Sequence, residues 1–225
     1  GYIADARAKG AKLVVIDPRL SNSAGMADLW IPAWPGTEAA LFLAILNRLI
    51  QENKFDRKFV ARWLNWKQLM KDKDYLTYLK ENGYISDLPK GETFDDFIEL
   101  LKDMYKDYTF EWAAQECRIP VEMVDKLYEM VVWAGNAISN YQWRGPAAGN
   151  RGGWVVGRAM NMLLAFTGSH GSVGGMGWGH WHKISLGDKG GDACVADKPE
   201  KVKVWNELHY PPAWPLSSYE LSFIY

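Results

Sequence analysis

The chain has 225 residues, 48% of them apolar and 24% charged, which suits a folded domain with a real hydrophobic core and excludes intrinsic disorder. Its 26 Lys and Arg nearly cancel its 27 Asp and Glu, so no global field draws it toward nucleic acid or an acidic membrane, and no nucleic-acid partner is expected. Two cysteines, Cys117 and Cys194, exclude a disulfide scaffold, and no apolar run approaches the roughly 20 residues of a membrane span.

Residues 2–12 read as the last turns of an amphipathic helix, with Ile3 and Ala6 on one face and Gly10 placed to stop it. The β-branched run Leu13-Val14-Val15-Ile16 follows as a strand expected to be buried on both faces. A helix feeding a buried parallel strand implies an earlier strand. The last residues, YELSFIY, stop inside an apolar run, so the sequence is expected to be an internal piece of a longer protein. Asp17-Pro18-Arg19 leaves the strand, a polar loop follows, and Leu29-Trp30-Ile31 forms a second short strand closed by Pro32 and Pro35. Gly36-Thr37-Glu38 opens a helix with Thr37 as N-cap, carried by Ala40, Leu41, Ala44, Ile45, Leu49 and Ile50.

From about 54 to 130 the pattern is helical, with helices over 55–64, 94–105 and 120–134, the last starting at Pro120. The charged and aromatic stretch 71–93 reads as a surface excursion, and 137–141 as a strand returning to the sheet. A glycine-rich stretch, 143–153, precedes a helix that ends at Gly168, where a second glycine run begins.

Five features are candidates to carry chemistry. Asp17, at the C-terminal end of a strand, is placed to accept from a ribose diol or a guanine edge, although such an aspartate also caps turns. The Gly36-Thr37-Glu38 loop presents free N–H groups to an anion or a polar ligand edge, although simple capping by Thr37 and Glu38 also accounts for it, and no Gly-Lys-Ser/Thr follows to make it a Walker loop. In the stretch around Arg144, Gly145 and Gly149, glycines admit a ligand close to the backbone and the guanidinium can clamp a phosphate or a polar ring. The glycines after Gly168 exceed ordinary capping needs and suggest backbone lying against a large planar ligand. His180 and His182 alternate and would face one side of a strand, but no acidic or sulfur partner stands at ligand spacing. Hydrogen bonding, rather than metal binding, is their expected role.

Two alternatives are weaker. A nicotinamide dehydrogenase domain would need a GxGxxG turn after the first strand, and a tryptophan-based carbohydrate module would need stacking platforms on strands. The first is missing, and Trp63, Trp112 and Trp133 fall in helical patterns.

In order and spacing, the passages ARAKGAKLVVIDPRLSNSAGMADLWIPAWPGTEAALFLAILNRLI and GRAMNMLLAFTGSHGSVGGMG resemble the catalytic subunit of the molybdopterin oxidoreductases of the dimethyl sulfoxide reductase superfamily. Members carry molybdenum or tungsten between two pyranopterin guanine dinucleotides. The resemblance is strong over residues 1–66 and 137–183. It implies an α/β fold, a Rossmann-like parallel sheet flanked by helices, with residues 1–178 forming most of the family's third domain and 179–225 crossing back into a neighbouring α/β domain. It also implies that Asp17, Pro18, Arg19, Gly36, Thr37 and Glu38 hold the guanosine end, that Arg144, Gly145 and Gly149 approach a pterin, and that His180, His182 and Lys183 lie near the substrate. The metal-ligating residue and any iron–sulfur cysteine cluster are expected before Gly1. The expected partners are the remainder of the parent chain, an electron-transfer subunit with iron–sulfur centres, and a small-molecule substrate. The parent would be the enzyme, and the piece alone is not expected to turn over.

Overall fold

Val14–Ile16 form β1 in the computed structural model, which describes residues 1–141 and 153–176. Leu29–Ile31 form β2 and pair with β1 in parallel, Val14 opposite Leu29 and Ile16 opposite Ile31. The connection is a loop with one 3₁₀ turn, Ala24–Met26, so the two strands sit side by side with the same direction and the same exit edge. All three β1 residues are half-buried rather than fully enclosed as the apolar run suggested, because β1 has one strand neighbour among the described residues.

Helix α1, Tyr2–Ala8, leads into β1 and buries none of its residues; Tyr2 and Ile3 are 95% and 63% exposed, so the expected apolar face is uncovered. Its stop is as expected. Gly10 has φ +100, its N–H donates to the Arg7 carbonyl at 2.9 Å and the Ala11 N–H to the Ala6 carbonyl at 3.1 Å, the paired bonds of a Schellman turn. At the N-terminal edge of the sheet Asp28 accepts from the Leu13 N–H at 2.8 Å and pairs with Arg7 and Lys12. The amide and the two cations hold its carboxyl below the usual range.

The remaining elements are helices: α2 (Glu38–Gln51), α3 (Arg57–Trp63), α4 (Trp66–Lys71), α5 (Lys73–Glu81), α6 (Phe94–Tyr105), α7 (Phe110–Cys117), α8 (Val121–Ala134) and α9 (Gly153–Phe166). The described residues are thus α/β, with one small parallel sheet and a majority of helix. No helix among them is long and apolar enough to cross a membrane.

Helix α2 is the axis of the molecule. Its 3.6-residue repeat buries Leu41, Ala44, Ile45 and Leu49 in a core shared with Ile31, α7, α8 and α9. The opposite side buries Leu46 and Ile50 in a second core with Val60, Met70, Leu76, Phe97, Ile98 and Phe166. One apolar face was legible in the repeat; the second arises because α3–α6 fold back over the other side of the same helix.

Two elements differ from expectation. Residues 71–93 are more than a surface excursion: they contain α5, and Leu76, Leu79 and Ile85 are buried in the second core. Residues 137–141 form no strand, although Ile138 packs against the first core. β-branched residues favour extended backbone, but a strand exists only where a ladder partner is supplied, and none is present among the described residues. The glycine-rich stretch with Arg144, Gly145 and Gly149, the residues His180, His182 and Lys183, and the expected domain boundary after 178 lie outside the described residues.

Candidate functional site

Two loops leave the same edge of the parallel pair, the C-terminal edge where open α/β sheets bind ligands. The first begins at Asp17. Its N–H donates to the Ile31 carbonyl at 3.2 Å, and its own carbonyl accepts from the Trp30 indole N–H at 2.7 Å, so the backbone is tied to β2 on both sides. The carboxylate caps the turn: Oδ1 accepts from the Arg19 N–H at 2.9 Å. Oδ2 has no partner among the described residues. Pro18 and Arg19 are exposed, and residues Arg19–Ser23 line an open cleft of about 550 Å³.

The second loop runs from Pro32 to Glu38. Thr37 occupies the N-cap position of α2, as expected, but its hydroxyl does not cap; it donates to the Trp34 carbonyl at 2.6 Å. The Glu38 carboxylate turns back to accept from the Gly36 N–H at 3.0 Å. The N–H groups of Glu38 and Ala39 are therefore left without acceptors among the described residues, at the positive end of a 14-residue helix. Gly36 has φ +89 and open space where a Cβ would stand, a conformation that only glycine adopts without strain.

The loop is supported from 80 residues away. The Trp34 N–H donates to the Cys117 carbonyl at 2.9 Å, and the Cys117 thiol donates to the Thr37 carbonyl at 3.4 Å. Cys117 is fully buried, as a small apolar residue, and burial pushes its thiol up. The structure brings the expected Asp17, Gly36, Thr37 and Glu38 to one sheet edge, and adds Trp30 and Cys117, whose contacts to these loops leave no short-range pattern in the sequence.

The glycine turn after α9 is built for its own fold. Ser169 is fully buried; its N–H donates to the Leu164 carbonyl at 2.8 Å, and its hydroxyl lies 2.8 Å from that of Thr167. Gly168, Gly171 and Gly174 have φ of +71, +76 and +81, and a Cβ on Gly175 would stand 2.2 Å from the Ser169 carbonyl oxygen. These four glycines answer internal backbone demands, so a planar ligand is not needed to explain them. The turn sits at the far end of α2, where Thr167, Asp56 and Leu49 line a second cleft of about 390 Å³. Thus α2 carries one loop at its start and the other near its end, about 20 Å apart at 1.5 Å per residue. Among the described residues no cluster of three His, Cys, Asp or Glu could hold a metal ion.

Free amides and an open carboxylate thus stand at the C-terminal edge of the parallel strands, where open α/β sheets take their ligands. The molybdopterin oxidoreductase family matches residues 2–211, and the chain belongs to it. Dimethyl sulfoxide reductase DmsA of Haemophilus influenzae is 34% identical over 166 residues, covering 73% of this chain and 19% of that protein. A sulfite dehydrogenase of Allochromatium vinosum is 26% identical over 236 residues, covering 77% of this chain and 24% of that protein. The solved structure of acetylene hydratase from Pelobacter acetylenicus superposes with a TM-score of 0.54 at 26% identity, over 74% of this chain and 18% of its own. The chain thus spans between about a fifth and a quarter of the length of these relatives.

Proposed function

We propose that this chain is the part of a molybdenum or tungsten bis-pterin guanine dinucleotide oxidoreductase that holds one dinucleotide, with the guanosine end at the Asp17 and Gly36–Glu38 loops. The observation that carries the reading is the emergence of both loops from one sheet edge, each with unsatisfied polar groups. The donor set fits the group. Asp17 offers a free carboxylate oxygen to a guanine N1–H and N2–H₂ edge, Glu38 and Ala39 offer amides to an oxygen, and exposed Arg19 offers charge to a phosphate. Pro18 and the open space at Gly36 leave room for the ring and ribose. The separation of about 20 Å between the two ends of α2 suits a dinucleotide whose guanosine and reacting ends are held apart.

In this reading the sheet is the start of a Rossmann-like unit, Arg144, Gly145 and Gly149 approach a pterin, and His180, His182 and Lys183 stand near substrate and donate protons or positive charge. When bound, the cofactor supplies a two-electron redox centre for oxo or hydride transfer. Electrons leave through iron–sulfur centres held by the rest of the parent or by a partner protein. The relatives named above are a dimethyl sulfoxide reductase, a sulfite dehydrogenase and an acetylene hydratase. Proteins of such different names share this portion, which favours a role toward a shared cofactor over a role in choosing substrate.

The test is Asp17→Ala in the full-length protein. Losing a charge-assisted pair costs roughly 1.5–3 kcal/mol, so the purified variant retains its dinucleotide at least about tenfold more weakly, with molybdenum and guanine content falling together. Normal content of both would remove Asp17 from the site.

A further inference from the structure

Arg118 occupies a conformation that a glycine would hold more cheaply. It ends α7 with φ +55, and its N–H and that of Ile119 close the turn onto the Gln115 and Ala114 carbonyls at 3.3 and 3.0 Å. A left-handed arginine carries backbone strain that a glycine at the same position avoids. Its side chain therefore has work that a glycine cannot do. That work is visible: the guanidinium carbon lies 4.2 Å from the centroid of the Trp34 ring, over its face. Trp34 is 53% exposed, so the ring is not held by burial.

Trp34 is also the hub of the Gly36–Glu38 loop. Its carbonyl takes the Thr37 N–H at 3.2 Å and the Thr37 hydroxyl at 2.6 Å, while its N–H is fixed to the Cys117 carbonyl. Trp34 thus fixes the turn before α2, and with it where the free amides of Glu38 and Ala39 point. From this geometry we infer that Arg118 is a positioning residue: it clamps Trp34 from the end of α7 and holds the Gly36–Glu38 loop in its ligand-ready form. Arg118 does not itself touch a ligand in this account. Only the identity of what the loop holds rests on the proposed function.

The test compares Arg118→Gly and Arg118→Lys with the unaltered full-length protein. Three properties are read: hydrogen exchange over 33–40, the melting temperature, and guanine content per protein. Glycine relieves the left-handed strain, so the melting temperature of Arg118→Gly stays level or rises. Its loop amides nevertheless exchange at least about fivefold faster, a local opening confined to 33–40. Lysine keeps the cation but loses the flat stack, and gives intermediate exchange. Unchanged exchange in Arg118→Gly overturns the inference. So does faster exchange spread over α7 and α2 with a falling melting temperature, which marks a general stabilising contact. Faster exchange with undiminished guanine content leaves Arg118 as the clamp and overturns the guanosine assignment of the loop instead.

Discussion

The indole N–H of Trp30 donates to the Asp17 carbonyl at 2.7 Å, which ties the start of the Asp17 loop to the neighbouring strand without engaging the carboxylate. The backbone of the loop and the chemistry of its side chain are therefore separable. Asp17→Ala removes only the turn bond to the Arg19 N–H, on a half-buried group, and is expected to lower stability by no more than about 1 kcal/mol. A cooperative melt within a few degrees of the parent's checks this, and makes any loss of cofactor from that variant a statement about the carboxylate. Collapse of the fold would mean that the turn bond, not a ligand, explains the aspartate.

Gly175 and Gly171 provide an internal comparison within the turn after α9. A Cβ on Gly175 would stand 2.1 Å from the Ser172 hydroxyl oxygen and 2.2 Å from the Ser169 carbonyl oxygen, and the second of these is backbone that cannot step aside. Gly171 has φ +76 but nothing within 4 Å. Gly175→Ala is expected to destabilise by about 3 kcal/mol or more through overpacking, and Gly171→Ala by about 1–2 kcal/mol through backbone strain alone. Denaturant midpoints of the two variants check the order. Equal losses would mean that the turn is looser than its contacts require.

Glu52, at the C-terminal end of α2, ties that helix to α8. It pairs with Lys54 at 2.8 Å, accepts from the Tyr128 hydroxyl at 2.6 Å and contacts Arg48. The Lys54 hydrogen bond first, then that of Tyr128, holds its carboxyl down to about 2 against an ordinary 4.5. A depressed carboxylate stabilises the fold above its unfolded value and loses that contribution as pH falls through the folded one. The stability difference between the parent and Glu52→Gln should be constant near neutrality and should shrink between about pH 4.5 and pH 2. Partial exposure of the network limits the difference at pH 7 to about 1 kcal/mol. Paired melts over that range check it; a gap that widens as pH falls would contradict the sign.

What the sequence made legible is local. The α2 repeat predicted its buried positions, Gly10 and Gly168 marked helix stops that the structure places in Schellman turns, and VVIDPR placed Asp17 at the end of a strand. What it hid is long-range. Cys117 reaches Thr37 across 80 positions, and nothing in the periodicity of α7 announces the contact. Thr37 was correctly placed as an N-cap residue, yet its hydroxyl serves the Trp34 carbonyl, because a tight turn offers that acceptor at 2.6 Å. Ile138 shows the converse error: residues 137–141 read as a strand, but no ladder partner stands beside them among the described residues.

Hydrogen exchange on the full-length protein, prepared with and without molybdopterin cofactor, reads both loops in one experiment. Both loops of the sheet edge should slow together when the cofactor is present, residues 17–23 and 34–40 each by at least about tenfold, since a ligand closes both openings at once. Protection that leaves both segments unchanged in a cofactor-loaded protein would contradict the claim that the Asp17 and Gly36–Glu38 loops hold its guanosine end.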